Sequence, residues 1–200
     1  MSSDWPVPEF GPADWTLEST ETLAQGFFRL DRWELSHAGH QGQAIAPMRR
    51  ELFVREPAVV VALVDPAARA CVFVEQFRVG VAASGRGDSP WLMEWVAGIC
   101  DTGEIPEDTA IREVFEETGL IPNGPLRHLS TYYPSPGGSN ELIHLYLTTV
   151  NTAGVAHYCG QDDEHEDLKA HVVGLDTCFA ALDAGLVNNA ATLIGLPWLR

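Results

Sequence analysis

GICDTGEIPEDTAIREVFEETGL, Gly98 to Leu120, is the stretch on which the reading of this chain turns. It crowds seven carboxylates together in a protein whose net charge is already −16. Glu107 to Thr118 reads as a helix that begins near Pro106 and is stopped by Gly119 in the position after its last turn. On it Glu113, Glu116 and Glu117 stand at i, i+3 and i+4, so their carboxylates share one face. Like charges at that spacing cost roughly 0.2–0.5 kcal/mol per pair. Taken alone, an acidic face is ordinarily solvated surface. Its context points elsewhere, because hard divalent cations such as Mg²⁺ take oxygen ligands and bind through one or two carboxylates plus substrate phosphates. Several carboxylates on one face could therefore hold such an ion. Arg112 can reach Glu116 one turn on and Glu104 in the preceding loop, holding the ligands in place. Gly98 suits a tight turn after a strand over Trp91 to Ala97, which would leave the Ala97 carbonyl as a further oxygen ligand.

Working outward, 200 residues with 46% hydrophobic content make one compact domain, or one domain with a small extension. The net charge of −16 and an isoelectric point near 4.6 exclude a nucleic-acid or anionic-membrane surface, which needs clustered Lys and Arg. Cys71, Cys100, Cys159 and Cys178 form no CxxC pair and read as reduced, mostly buried thiols. The N-terminus has neither the basic segment nor the apolar core of a signal peptide. The longest apolar run, Ala58 to Val64, is far short of a bilayer span. The expectation is a soluble, cytoplasmic protein with neither nucleic-acid nor membrane partners.

The first fifteen or so residues, rich in Pro, Asp and Ser, look like a poorly ordered lead-in. Gly26 to Leu35 alternates apolar and polar residues, and Ala46 to Val54 continues in extended fashion, so a small antiparallel N-terminal sheet is expected, turning at His37 to Gly42. A break near Glu56-Pro57 divides a subdomain of residues 1–56 from a main domain of residues 57–200. In the latter, Ala58 to Val64, Cys71 to Phe77, Trp91 to Ala97, Leu126 to Tyr133, Leu142 to Thr149 and Ala170 to Val173 read as strands. Further helices are expected over Thr177 to Ala184 and Asn188 to Ile194. Gly and Ser gather in two loops, Ala82 to Pro90 and Ser135 to Ser139, both able to carry function.

The complete spacing of the acidic stretch is Gly98, five residues, Glu104, seven residues, Arg112-Glu113-Val114, one residue, Glu116-Glu117, one residue, Gly119-Leu120. A chance match in a chain this long is on the order of one in ten million. With it the sequence resembles the Nudix hydrolases, whose signature is this loop-helix-loop box. The resemblance implies an α+β fold, an α/β/α sandwich with a mixed sheet, beside the small N-terminal antiparallel sheet. Beyond the box, Tyr133 to Glu141 looks like the loop of the bacterial ADP-ribose diphosphatase branch, which carries a proline about sixteen residues after the box; Pro136 follows Leu120 by sixteen. Arg49-Arg50-Glu51, Val74 to Arg78, Asp163 to Asp167 and Asn188 to Ala191 are similar to that branch too.

What the resemblance implies is hydrolysis of ADP-ribose to AMP and ribose 5-phosphate with Mg²⁺, for which Mn²⁺ can substitute. It assigns metal ligation to the Ala97 carbonyl, Glu113, Glu117 and Glu166, adds Glu116 to the cluster, and makes Glu164 the general base on a mobile loop. Alone, the five acids between Gln161 and Asp167 read as a solvated loop. His165 could imitate a base, but an imidazole among so many acids tends to be protonated. Arg78 and Arg50 are candidates for the diphosphate and adenine ends, since an Arg fork matches phosphate and stacks on rings. Phe27 matches a ring that stacks on adenine, with Arg50 reaching over from a second subunit; taken alone, Phe27 reads as a core residue of the first strand. Glu141 would bond ribose hydroxyls, with Ser139 nearby, or both simply shape the turn. The N-terminal sheet is exchanged between subunits in that family, so a homodimer is implied. Two alternatives stand beside this reading: a Nudix hydrolase of another sugar nucleotide, such as ADP-glucose or GDP-mannose, and a non-catalytic nucleotide-sensing Nudix domain.

Overall fold

The structure, a computed structural model, describes residues 5–160 and 167–200. The chain divides into two units: residues up to Arg55 together with Ser135–Glu141, and Glu56–Pro134 together with Leu142–Arg200.

The first unit is a three-stranded antiparallel sheet of β1 (Trp15–Gln25), β2 (Arg29–Ala38) and β3 (Ala44–Val54) in that order. β1 was not expected, because nearly all of it is exposed and its Thr, Ser and Glu give no apolar alternation. Cross-strand polar pairs hold it instead. Arg32 pairs with Glu21 at 3.1 Å, Ser36 donates to Glu18 at 3.0 Å and Thr22 donates to Asp31 at 2.9 Å. Nor does β2 begin at Gly26. Gly26 to Phe28 form the hairpin turn, where the Gly26 N–H donates to the Phe28 carbonyl at 2.9 Å, so Phe27 is 85% exposed and is no core residue. The loop Ser135–Glu141 fastens onto the end of β3: the Phe53 N–H donates to Gly138 at 2.8 Å, and the Asn140 amide exchanges bonds of 2.8 and 3.1 Å with the Arg55 backbone.

The second unit is built on a mixed eight-stranded sheet. Its strands are β4 (Ala58–Asp65), β5 (Ala70–Phe77), β6 (Trp91–Glu94), β7 (Val96–Ile99), β8 (Arg127–Tyr132), β9 (Ile143–Thr149), β10 (Tyr158–Cys159) and β11 (Leu168–Gly174). The main path runs β10-β11-β5-β4-β9-β8, with β4 and β9 parallel and its other pairs antiparallel. β4 and β5 pair only near their connecting turn, and the gap between their far ends is filled by β6 against β5 and β7 against β4. The expected single strand Trp91 to Ala97 is therefore two, broken at Trp95, where the chain changes partner. A run of apolar residues shows that a segment is buried, not that it changes neighbours.

Alternate residues of the buried strands feed two cores. Val59, Val61, Leu63, Val72 and Val74 pack with Ala110 and Val114 of the helix α2 (Pro106–Thr118) on one face. Val60, Ala62, Cys71, Phe73 and Trp95 pack on the other face with Cys178 of α3 (Leu175–Asp183), Leu196, and Ala191 and Ile194 of α4 (Ala190–Gly195). A short helix, α1 (Val79–Ala83), lies in the loop before β6. This is the sandwich expected from the sequence. All four cysteines carry free thiols. Among the described residues no helix is long and apolar enough to cross a membrane.

Trp95 is 1% exposed and stacks on Phe73 with ring centroids 4.2 Å apart. Trp95→Ala should cost about 3–5 kcal/mol in urea unfolding, with Trp95→Phe losing less than half as much. A loss below about 1 kcal/mol in the alanine variant would show that the strand break is not held by this side chain.

Candidate active site

α2 begins with Pro at its first position and carries Glu107 and Asp108 in the first turn, where acids favour the positive end of the helix dipole. It ends at Gly119, whose left-handed backbone (φ 69°) closes the last turn with an N–H bond to Phe115. With Ala110 and Val114 pressed on the sheet, Glu113 and Glu117 are turned toward β7. Glu117 is only 3% exposed, and one of its carboxylate oxygens accepts the Ala97 N–H at 3.3 Å. The N–H and carbonyl of one strand residue point to the same edge, so the Ala97 carbonyl shares the edge that meets Glu117.

Gly98 has a role other than the expected turn. It sits inside β7 opposite Val59, and a Cβ added there would overlap the Glu113 side chain from Cγ to the carboxylate. Glycine is required here to make room for that carboxylate.

Arg112 gathers the loop and the helix. Its Nη1 donates to Glu113 and Glu116, each at 2.8 Å, while Nε and Nη2 donate to the two oxygens of Glu104 at 3.3 Å. Glu104 also accepts the Asp101 N–H at 3.1 Å, closing the loop before the helix. The Arg112 bonds, with help from Thr109 and the Asp101 N–H, hold the Glu104 carboxyl down at about 2. In turn Glu104 foremost, with Glu113 and Glu116, pushes Arg112 upward, so it stays charged. One fixed cation thereby offsets much of the repulsion among three carboxylates. In the first turn of the same helix, Glu107 accepts from the Tyr146 hydroxyl at 2.9 Å; burial first, then Glu107, pushes that hydroxyl up.

This donor set fits a hard divalent ion in kind: carboxylate and carbonyl oxygens on one helix face and one strand edge, with a glycine kept clear beside them. Among the described residues no three His, Cys, Asp or Glu side chains converge on one point. The expected base Glu164 and ligand Glu166, and His165 with them, lie outside the described residues.

Arg78, at the end of β5, pairs with Glu94 at 2.5 Å. In the first unit, Arg50 lies opposite Trp33 on β3, exposed, donating to the Arg49 carbonyl at 2.9 Å. Ser139 donates to the Phe53 carbonyl at 3.0 Å and accepts the Glu141 N–H at 3.1 Å, so its hydroxyl shapes the turn. Glu141 pairs with Arg55 at 3.0 Å, and that guanidinium lies 4.5 Å over the Phe28 ring, which is 4.8 Å from Phe27. Arg55 and Glu94 were overlooked in the sequence, where nothing links them to partners so far along the chain.

The sequence matches the NUDIX domain family over residues 54–189. The chain belongs to the Nudix family. It is 38% identical to an ADP-ribose pyrophosphatase of Escherichia coli strain K12, over 96% of this chain and 90% of that protein. It is 29% identical to a GDP-mannose pyrophosphatase of Citrobacter koseri, over 92% of this chain and 94% of that one. Its fold is similar to that of a crystal structure described as an ADP compounds hydrolase, with a TM-score of 0.70 and 20% identity, covering 94% of this chain and 92% of the other. Nudix hydrolases generally work with divalent metal ions, in keeping with the oxygen donors along α2.

The Arg112 fork makes a measurable claim about Glu104. In carboxyl-carbon NMR, Glu104 should titrate at about 2 in the wild type and move toward the ordinary 4.5 in Arg112→Met. Because the folded value lies below the unfolded one, the stability gained through this carboxylate is complete above about pH 4.5 and disappears as the pH falls toward 2. An unmoved Glu104 in the variant would assign its low value to the loop backbone.

Proposed function

We propose that this protein is a Mg²⁺-dependent ADP-ribose diphosphatase, with Mn²⁺ as a possible substitute, cutting ADP-ribose into AMP and ribose 5-phosphate. The observation that carries the reading is the row of carboxylates on α2, locked by Arg112 and set against Ala97 and Gly98. The choice of ADP-ribose is supported by the greater likeness to the Escherichia coli enzyme than to the GDP-mannose enzyme.

In this reading Glu113, Glu117, the Ala97 carbonyl and Glu166 hold the metal, with Glu116 completing the cluster. A divalent ion bound there supplies neutralisation of the diphosphate charge and a more acidic water. Glu164 takes the proton from the attacking water as the P–O bond of the anhydride breaks. Arg112 acts indirectly, fixing the carboxylates it bridges. Arg78 binds the diphosphate. Phe27, whose exposed ring is backed by Phe28, stacks on adenine, with Arg50 contributed by the second subunit of a homodimer. Glu141, anchored by Arg55, accepts from ribose hydroxyls, and Ser139 keeps that loop in shape. Residues 1–56 serve dimerisation, residues 57–200 carry the hydrolase, and the enzyme works in the cytoplasm.

A substrate panel of ADP-ribose, ADP-glucose and GDP-mannose, with Mg²⁺ and with chelator, tests the assignment. ADP-ribose should give AMP with kcat/KM at least about tenfold above the others, and chelator should abolish it. A preference for GDP-mannose would transfer the reading to the other sugar nucleotides, and binding without hydrolysis would make the domain a sensor. Glu117→Gln can still accept the Ala97 N–H, so it should fold as the wild type while kcat falls at least about a hundredfold. Gly98→Ala should do likewise, because the Glu113 carboxylate must leave its place. Wild-type turnover in both variants would sink the metal assignment.

A further inference from the structure

Arg78 and Glu94 form a charged pair whose members are unequally exposed, the Arg78 side chain at 40% and the Glu94 side chain at 15%. Glu94 Oε2 accepts from Nε of Arg78 at 2.5 Å, and Nη1 and Nη2 have no partner among the described residues. A guanidinium held at Nε has its orientation fixed and its outer pair of donors left for a second, bidentate acceptor. Glu94 stands opposite Val74, which packs against α2, and facing residues of paired strands share one face of the sheet, so Glu94 lies on the face that carries the α2 carboxylates. It is also firmly seated. The residue before it, Met93, accepts the Asn189 side-chain N–H on its carbonyl at 2.8 Å, and the residue after it, Trp95, is buried against Phe73. The Arg78 backbone is tied to the start of the same strand, its N–H donating to the Pro90 carbonyl at 2.7 Å.

We propose that Glu94 is a positioning residue for the diphosphate of the substrate: by occupying Nε of Arg78 it presents Nη1 and Nη2 as a preset fork for two phosphate oxygens. The inference rests on the reading of the protein as a sugar-nucleotide diphosphatase in which Arg78 meets the diphosphate. An arginine side chain without such a partner has several free torsions and is ordered only when substrate arrives, at a cost to binding; Glu94 orders it beforehand. The charge of Glu94 by itself works the other way, since a carboxylate beside the guanidinium weakens the attraction that Arg78 exerts on a phosphate. Orientation and charge therefore predict opposite outcomes when Glu94 is removed.

The test is steady-state kinetics of the full chain with Mg²⁺ on ADP-ribose, ADP-glucose and GDP-mannose, all of which carry the diphosphate. On the substrate that the wild type prefers, Glu94→Met, which fills the same space without an acceptor, should raise KM about tenfold with kcat within about twofold. Glu94→Gln, whose amide oxygen can still accept from Nε, should recover most of that loss. Arg78→Ala should raise KM at least as much, and adding Glu94→Met to it should change KM by less than about twofold, because Glu94 acts only through Arg78. If the wild type binds without turnover, Kd takes the place of KM; if Glu94→Met does not fold, Glu94→Ser carries the same comparison. A KM in Glu94→Met that is unchanged or lower, a Gln variant no better than the Met variant, or losses that multiply in the double variant would overturn the proposal and leave the diphosphatase reading intact. A wild type that neither binds nor hydrolyses any of these substrates would overturn both.

Discussion

The site depends on one guanidinium. Glu113 and Glu116 are neighbours on a helix face and Glu104 comes from the loop before it, so without a cation among them their repulsion would splay the helix face from the loop. Arg112 is suited to the task in a way lysine is not. Its planar fork offers five donors in fixed directions, four of which are used here on three carboxylates. The arrangement is also economical in position: the arginine sits on the same helix as two of its partners, so fixing α2 fixes all of it. What fixes α2 is burial of Ala110 and Val114 against alternate residues of β4 and β5.

The second constraint is the wedge between β4 and β5. Had those strands paired along their full length, no edge would have been left to meet α2. Their divergence admits β6 and β7, and Trp95, buried against Phe73, marks the residue where pairing passes from one to the other. Two residues later Ala97 turns its N–H to Glu117, and one further on Gly98 gives Glu113 its room. A packing decision on one face of the sheet thus sets the position of the polar groups on the other.

These two features differ in how far the sequence reveals them. The carboxylate face and its arginine follow from spacings of one to eight residues on a segment whose helical start and glycine stop are both written locally, and the bonds to Glu104 and Glu116 are those expected. The Trp95 break is invisible to periodicity, because both halves of the segment are apolar. β1 escaped for the opposite reason: its stability lies in polar pairs with β2, and an exposed polar strand looks like a linker. Pairs such as Arg78 with Glu94 and Arg55 with Glu141 join residues far apart in sequence, and no local rule connects them. Phe27 shows the limit of composition, since an aromatic beside a strand is ordinarily buried and this one caps a hairpin turn.

Glycine offers the sharpest contrast between what a chain needs for itself and what it leaves open. Gly98 is demanded internally, because the space where its Cβ would stand is taken by the Glu113 side chain. Gly137 and Gly138 are under no such demand: neither has a left-handed backbone, and a Cβ on either would meet nothing within 4 Å. The loop that carries them is nonetheless rigidly tied, by Gly138 and Ser139 to Phe53 and by Asn140 to both polar groups of the Arg55 backbone. With the Ser139 hydroxyl and the Asn140 amide committed to that anchorage and the Glu141 carboxylate paired with Arg55, the loop exposes Ser135, Pro136 and the bare backbone of Gly137. A loop held firm at both ends, with two successive residues that carry no side chain, leaves backbone that a neighbouring group can approach closely.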